Sequence, residues 1–420
     1  VTLEKKKILM LCDHPLSTSG VGCQARFLID GLIATGEYCF RVLGGAIKHN
    51  DYSLVKVNDD LLIKPVDGFG TPDMLRHLLA TEKPDLLFLF TDPRFFIWVW
   101  EMEDEIHQVC PIVYWHVWDN DPFPDFNNVL YESTDLVNCH SYKTYEMVSE
   151  RFPEKTNFIP HALPQNLYFP LPQAEINKFR TQLLGKERRD HFIGFWINRN
   201  ARRKMPSDVI EGWSRFLNEL EEKHGHRNAT LVMHTDPVDQ EGPNLFKVTE
   251  LFDVQDNVFF STERIEFEKI NILHNISDFC INIACNEGFG LATLESMQVG
   301  KPIIALKTGG LTRQVVDHRD GSENGIALDP DVRNLVGSQM VPFIYEDHVD
   351  NQKVADAYMK LYELGPEGRK ELGQKAREYV LSEFAIHDTI SAWNSTMTDT
   401  INTWKNDRTK IYKGWNLETI

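Results

Sequence analysis

Asn286-Glu287-Gly288-Phe289-Gly290-Leu291-Ala292-Thr293-Leu294-Glu295 sets two carboxylates eight residues apart around a glycine-rich turn. The run before it, Asp278-Phe279-Cys280-Ile281-Asn282-Ile283-Ala284-Cys285, has strand composition, and residues 291–299 have helical spacing, so a buried strand is predicted to turn here into a helix. Gly288 and Gly290 let the backbone bend and approach a ligand, and the open amides of the helix's first turn favour an anion. A diphosphate fits that description. Glu287 then stands on the turn facing the ligand, and Glu295, about two helical turns further on, is placed to accept hydrogen bonds from hydroxyls. The same spacing suits a helix-start charge and a solvated helix position, so both readings stay open.

Outward from this stretch, strand-like and helical segments alternate in the manner of a doubly wound sheet, twice over. The first half opens with Ile8-Leu9-Met10-Leu11, a loop from Asp13 to Gly22 and an amphipathic helix to about Ala34; further strands are predicted at 86–90, 112–115 and 136–139. A proline-rich run, Ile159-Pro160-His161-Ala162-Leu163-Pro164 continuing to Phe169-Pro170-Leu171-Pro172, is the linker candidate. The second half opens with His191-Phe192-Ile193-Gly194-Phe195-Trp196-Ile197-Asn198, followed by strands at 231–234, 258–260, 279–284 and 303–306. Residues after about Tyr379 read as helical and carry Trp393 and Trp404, and no solenoid-length repeat is present.

The 420 residues suit two α/β domains better than one core. A formal net charge of −18 disfavours a general nucleic-acid or anionic-membrane surface, though a local basic patch can oppose it. The most apolar stretch, 86–100, is broken by Asp92-Pro93-Arg94, so no integral membrane association is expected. Lys5-Lys6-Lys7 leads straight into the first strand, which leaves no room for a secretory signal. Seven cysteines without a Cys-x-x-Cys pair point to reduced thiols and a cytoplasmic location.

Asn198-Arg199-Asn200-Ala201-Arg202-Arg203-Lys204 places four cations within six residues immediately after the second half's first strand. Alone, such a cluster reads as a solvated basic loop, changeable without loss of folding, or as a weak nucleic-acid contact. Its placement points elsewhere, because loops at the carboxyl ends of strands in an open α/β sheet face the ligand crevice. Arg199 can fork onto phosphate oxygens while Lys204 supplies a compact charge. In the first half, Ser19-Gly20-Val21-Gly22 joins strand to helix and could bring amides to a phosphate or a hydroxyl, or be a structural turn only. His116 ends the apolar run Pro111-Ile112-Val113-Tyr114-Trp115, a position equally suited to a core histidine. Trp118, Asp119 and Asp121 open an aromatic, proline-rich loop reaching Phe126, which resembles an acceptor platform, although Asp-rich loops are commonly just solvated.

Glu287-x7-Glu295, followed by Gly300-Lys301-Pro302-Ile303-Ile304-Ala305 and Thr308-Gly309-Gly310, resembles the donor-site signature of retaining glycosyltransferases of family four. The resemblance implies the GT-B fold: two Rossmann-like doubly wound domains facing each other across a cleft, here residues 1–165 on the acceptor side and 166–380 on the nucleotide-sugar side. Residues 381–420 are then a helical tail packing back on the first domain. It further implies that Glu287 lies by the donor sugar, that Glu295 binds the ribose, and that Arg199 and Lys204 hold the diphosphate. Gly288, Phe289, Gly290, Leu291, Gly309 and Gly310 complete the donor contacts. Gly20 and Gly22 fall where the family has a glycine-rich loop facing the donor, and His116 where it has a histidine on the transferred sugar. His161 lies in a segment like the family's Ile-Pro-Asn/His-Gly-Val, with Ala162 in place of glycine. Ala292 stands where a proline is common, Leu311-Thr312-Arg313 replaces an acidic continuation, and Arg202 and Arg203 match no family role.

The expected activity is transfer of a sugar from a nucleoside diphosphate, UDP- or GDP-linked, to a hydroxyl acceptor with retention of configuration. No cofactor and no metal are expected, Asp119-Asn120-Asp121 being the one Asp-x-Asp in the cleft loops. The acceptor is expected to be a glycan, lipid-linked glycan or protein. The alternatives are a hydroxylated nucleobase in DNA, with nucleic acid entering only as acceptor, a nucleotide-sugar epimerase on the same fold, and a catalytically silent binding protein.

Overall fold

A strand that is apolar at successive positions needs cover on both faces of its sheet, and that requirement shapes the first unit. Its strands are β1 (Lys6–Asp13), β2 (Tyr38–Gly45), β3 (Val55–Lys56), β4 (Leu61–Pro65), β5 (Leu86–Thr91), β6 (Ile112–His116), β7 (Leu136–Cys139) and β8 (Thr156–Phe158). They lie in the order β3-β4-β2-β1-β5-β6-β7-β8, parallel throughout except for the β3–β4 pair. Because side chains alternate across the sheet, Leu9, Leu11, Leu87 and Leu89 enter one core while Ile8, Met10, Leu86 and Phe88 enter the other. The second of these cores is closed by the helix Gly20–Ala34 and by Trp393, Met397 and Ile401 of the helix Ile386–Ile411. Trp393 is fully buried, with ring centroids 5.0 Å from Phe88 and 5.1 Å from Trp115.

The structure is a computed structural model that describes residues 4–411. One unit runs to Ala162, takes in Gly337–Phe343 and resumes at Ile386; the other comprises Leu163–Val336 and Ile344–Ala385. The division falls inside the proline-rich run. Residues 412–420 of the expected tail lie outside the described residues.

The second unit repeats the architecture with β9 (Phe192–Ile197), β10 (Ala229–His234), β11 (Val258–Ser261), β12 (Phe279–Asn282), β13 (Ile303–Leu306) and β14 (Gly325–Leu328). The sheet is wholly parallel in the order β11-β10-β9-β12-β13-β14. Gly194 on β9 faces Phe279 on β12, and a Cβ there would lie 2.7 Å from the Phe279 ring, so the glycine makes room for an aromatic core residue. Trp196, Trp213 and Tyr358 fill one face, under the helices Pro206–His224 and Asn351–Glu363; Phe195, Val232 and Leu273 fill the other. Both units are therefore doubly wound α/β structures.

Several elements depart from the expectations. Gly20 and Gly22 belong to the first turn of a helix, not to a loop: Ser19 caps it by accepting the Gly22 amide at 3.0 Å. A Cβ on Gly22 would meet Ser17 Oγ at 2.4 Å and the His14 carbonyl at 2.7 Å, so this glycine serves packing. β2, β3, β4, β8 and β14 were not singled out in the sequence: Arg41 and Lys64 interrupt the apolar runs of β2 and β4, and β3, β8 and β14 are only two to four residues long. An antiparallel hairpin of β15 (Val332–Val336) and β16 (Ile344–His348) was likewise unanticipated, its first strand being almost wholly exposed.

Candidate functional site

In the second unit the chain builds β10 and β11 on one side of β9, then crosses to build β12, β13 and β14 on the other. At such a reversal the loops leaving two adjacent strands diverge and open a crevice at their carboxyl ends. The loops are residues 198–204 after β9 and 283–290 after β12, the two stretches that carry the predicted charged residues.

Lys204 and Glu287, 83 positions apart in sequence, form a buried ion pair, their side chains each 11% exposed. Glu287 Oε2 also accepts from Asn282 Nδ2 at 3.2 Å, and Arg203 Nη1 donates to the Asn286 carbonyl at 3.1 Å. Burial pushes the Glu287 carboxyl upward, but the charges of Lys204 and Arg203, with hydrogen bonds from Lys204 and Asn282, outweigh it and hold the group below the usual glutamate range. Glu287 is therefore an ionised carboxylate held in place, and the Lys204 ammonium is anchored at the base of the turn. The alternative reading of the cluster as a solvated basic loop does not hold for Lys204, whose side chain is buried. A short 3-10 turn, Arg202–Lys204, followed by Met205 in the left-handed region (φ 53), folds the lysine inward before Pro206 opens the next helix. A non-glycine residue in that conformation costs about 1–3 kcal/mol, held in place by the surrounding structure.

The neighbouring cations separate by role. Arg199 is 65% exposed and forks onto Asp239 at 2.8 and 3.2 Å, a surface arrangement from which it can swing to an anion at little cost. Arg202 forks onto Glu346 of β16 at 2.7 and 3.2 Å, tying the loop to the hairpin. Among the described residues, Asn198 Nδ2, Thr235 Oγ1 and Asn286 Oδ1 are buried without a protein partner, so these ends of β9, β10 and β12 offer polar atoms to a ligand.

The glycine turn is held by backbone contact. Gly290 takes φ 90 as the cap of the helix Leu291–Gln298, with no side chain occupying the first amides. Gly310 lies against it: its amide donates to the Glu287 carbonyl at 3.0 Å, and a Cβ would fall 2.4 Å from the Gly288 carbonyl oxygen and 2.5 Å from Phe289 Cα. Gly309 adopts φ 46 beside it. Gln314 locks the turn from beneath, donating to the Phe289 carbonyl at 2.7 Å and to the Gly290 carbonyl at 3.1 Å while accepting from Thr293 at 2.6 Å. The Phe289 ring is buried against Phe384, so the side chain packs into the core. Thr308 donates to Asp347 at 2.7 Å, and Asp347 donates its amide to the Cys285 carbonyl at 2.7 Å, so β16 braces both turns. Glu295, one turn into the helix, takes a 3.0 Å hydrogen bond from His274 Nε2.

Arg203, Asn282, Gln314, His274 and Asp347 were not given roles from the sequence. Arg203 was visible in the basic cluster and Asn282 as a polar residue within an apolar run; the other three carry no local signal.

The remaining predicted residues lie in the first unit. His116 ends β6, fully buried, with Nε2 at 2.9 Å from the Tyr131 hydroxyl, and burial together with nearby His140 pushes its pKa down to about 3. It is neutral at any physiological pH. The expected aromatic platform is corrected: Trp118 is 5% exposed, with its indole N–H donating to the Asn120 carbonyl at 2.9 Å, because the loop folds back on its own polar backbone. Asp121 is held by Lys143 at 2.9 Å, and Asp119 sits half-buried in the same loop. His161 is buried, its ring 4.8 Å from Trp115 and 5.1 Å from His140.

Comparison with known proteins places this geometry. Residues 188–336, which contain both charged loops, match the family described as glycosyl transferases group 1. Trehalose synthase of Pyrococcus horikoshii is 29% identical over 161 residues, 37% of this chain and 32% of that protein. N-acetyl-alpha-D-glucosaminyl L-malate synthase of Bacillus anthracis is 23% identical over 297 residues, 68% of this chain and 66% of that protein. The matched region thus spans about a third of the first relative and just under two thirds of the second. Among solved structures, Anabaena HepE in complex with UDP superposes with a TM-score of 0.68 at 16% identity, covering 94% of this chain and all of that one. Sucrose-phosphate synthase of Thermosynechococcus elongatus gives 0.71 at 17% identity, covering 95% of this chain and all of that one. The chain has the GT-B fold, and its residues 188–336 match the group 1 glycosyl transferase family.

Proposed function

We propose that this protein is a retaining glycosyltransferase that moves a sugar from a nucleoside diphosphate to a hydroxyl acceptor. The observation that carries the reading is the Lys204–Glu287 pair at the strand reversal of the second unit, beside the open amides of the helix Leu291–Gln298. A diphosphate seated there meets Lys204, Arg199 after it leaves Asp239, and the Gly290–Leu291 backbone. As the bond from the anomeric carbon to the phosphate oxygen breaks, its electron pair goes to the phosphate, where these groups stabilise it. The acceptor oxygen bonds to the anomeric carbon on the same face and its proton passes to the leaving phosphate, so no separate protein base is required. Glu287, fixed as a carboxylate, orients the sugar and faces the positive charge developing on it. Glu295 accepts from the ribose.

UDP is the favoured nucleotide, supported by a structural neighbour solved with UDP. Because the cations and helix amides neutralise the diphosphate, the reaction is proposed to be metal-independent. That none of the seven cysteines forms a disulfide suits the proposed cytoplasmic location. Among the described residues no helix is long and apolar enough to cross a membrane.

A panel of UDP- and GDP-sugars, scored for nucleotide release with and without hydroxyl acceptors and with excess chelator, tests the proposal. Acceptor-dependent release that survives chelator, with a product of unchanged anomeric configuration by NMR, is expected. Interconversion of donor sugars without acceptor would instead identify an epimerase, and an inverted product would remove the same-face mechanism.

A further inference from the structure

His274 lies in the helix Phe267–Ile276 and is completely buried. Its ring is 4.9 Å from Phe195, edge to face, and 6.1 Å from Tyr168. The helix is held on both sides of it: Asn271 accepts the Phe169 amide at 3.1 Å and Asn275 accepts the Leu171 amide at 2.8 Å. Among the described residues the one hydrogen bond of its side chain is the 3.0 Å contact between Nε2 and Glu295 Oε2, and Nδ1 has no partner. A carboxylate oxygen only accepts, so Nε2 carries the hydrogen. The arrangement consumes one oxygen of Glu295. The other, Oε1, takes no hydrogen bond from the described residues, and the Glu295 side chain is 13% exposed. The helix bearing Glu295 is tied to the same segment, since Gln298 donates to the Tyr168 carbonyl at 3.1 Å.

A polar imidazole placed in an apolar slot, with no link to the surface except one glutamate, contributes little to folding that a phenyl ring would not. Its effect is on direction. We infer that His274 is a positioning residue for the nucleoside end of the donor: by fixing Oε2 it aims Oε1 of Glu295 at the ribose hydroxyls, and so sets how strongly the site distinguishes a ribonucleotide from one lacking those hydroxyls. The inference rests on the proposed donor reading and adds to it a residue that never touches the ligand.

The test is titration calorimetry with UDP, GDP and their 2′,3′-dideoxy counterparts against wild type, Glu295→Ala, His274→Phe and His274→Gln. Phe keeps the ring and removes the donor, whereas Gln restores a donor. Wild type should prefer the ribonucleotide by roughly tenfold or more, the worth of one hydrogen bond to a charged group. Glu295→Ala and His274→Phe should each bring that ratio close to one, with His274→Gln recovering most of it, and in turnover the His274→Phe loss should appear in donor KM. A melting curve for His274→Phe separates misfolding from lost aim; should that variant not fold, His274→Gln against Glu295→Ala decides. Full ribose discrimination in a folded His274→Phe, with discrimination lost in Glu295→Ala, would overturn the inference and leave the donor reading standing. Discrimination that survives Glu295→Ala, or wild type that binds neither nucleotide, would overturn the ribose assignment beneath it.

Discussion

Replacing Lys204 by Met leaves the buried Glu287 carboxylate with Asn282 at 3.2 Å and the charge of Arg203 as its remaining support. Breaking a buried ion pair from one side costs about 3–5 kcal/mol, and the two remaining partners should reduce that to about 2–3 kcal/mol for Lys204→Met. Removing both charges as Lys204→Met/Glu287→Gln should recover stability to within about 1 kcal/mol of wild type, because the penalty lies in the stranded charge. Activity should not recover: single and double variants alike should lose roughly 10²-fold or more in turnover. The pH dependence carries a sign. In wild type the lowered Glu287 value means that its contribution to stability is present above the ordinary glutamate range and is lost as acid carries the group through its folded value. In Lys204→Met burial dominates and the value rises, so the deficit at neutral pH should shrink as the pH falls toward 4. Urea denaturation followed by tryptophan fluorescence at both pH values, with m unchanged, reads these differences. A Lys204→Met protein as stable as wild type at pH 7, or a double variant showing the plain sum of the single effects, would refute the reasoning.

The two glutamates should divide kinetically: Glu295→Ala raises donor KM, since a ribose contact is the same in ground and transition states, whereas Glu287→Gln lowers kcat; equal effects on both parameters in both variants would reject the division. Gly310→Ala forces a methyl between the Gly288 carbonyl and Phe289 Cα, so it should cost about 1–3 kcal/mol and weaken nucleotide binding; unchanged melting and affinity would show that the two turns are not in register as described. His116, with a folded pKa of about 3 against about 6.5 unfolded, makes the unfolded chain the better proton binder between those values, so stability falls as pH drops through this window. Its share at pH 5 is about 2 kcal/mol, and the stability difference between wild type and His116→Phe should shift toward the variant by that amount from pH 7 to pH 5; a pH-independent difference would place His116 outside the buried, neutral state.

The strongest strands were legible because double burial writes a continuous apolar run: 8–11, 86–90 and the first four residues of the predicted 279–284 each sit in the middle of a parallel sheet, Ile283 and Ala284 already belonging to the loop. Edge and interrupted strands were not. β2 carries Arg41, whose charge is met at 3.2 Å by Glu82 far along the chain, and the exposed β15 has no apolar face to mark it. The glycine turn was legible for a backbone reason, since Gly290 in a left-handed conformation is a local property of its own residue. The reason for Gly310 was not local, because the atoms that exclude a side chain there belong to Gly288 and Phe289, more than twenty positions earlier.

What the sequence determined by itself was a set of short-range facts: which runs are buried on two faces, where a strand must turn into a helix, and that cations follow β9 while carboxylates follow β12. Spacing within each motif is enough for those, because period, turn chemistry and capping act over a few residues. Tertiary structure decided how the motifs meet. Only the strand order, with β12 beside β9 and not beside β11, brings Lys204 onto Glu287, buries both and makes the charge state of one depend on the presence of the other. The same packing gave Glu295 a histidine that no spacing rule could pair with it, because a buried hydrogen bond between two helices depends on the angle and depth at which they pack and leaves no period in the chain.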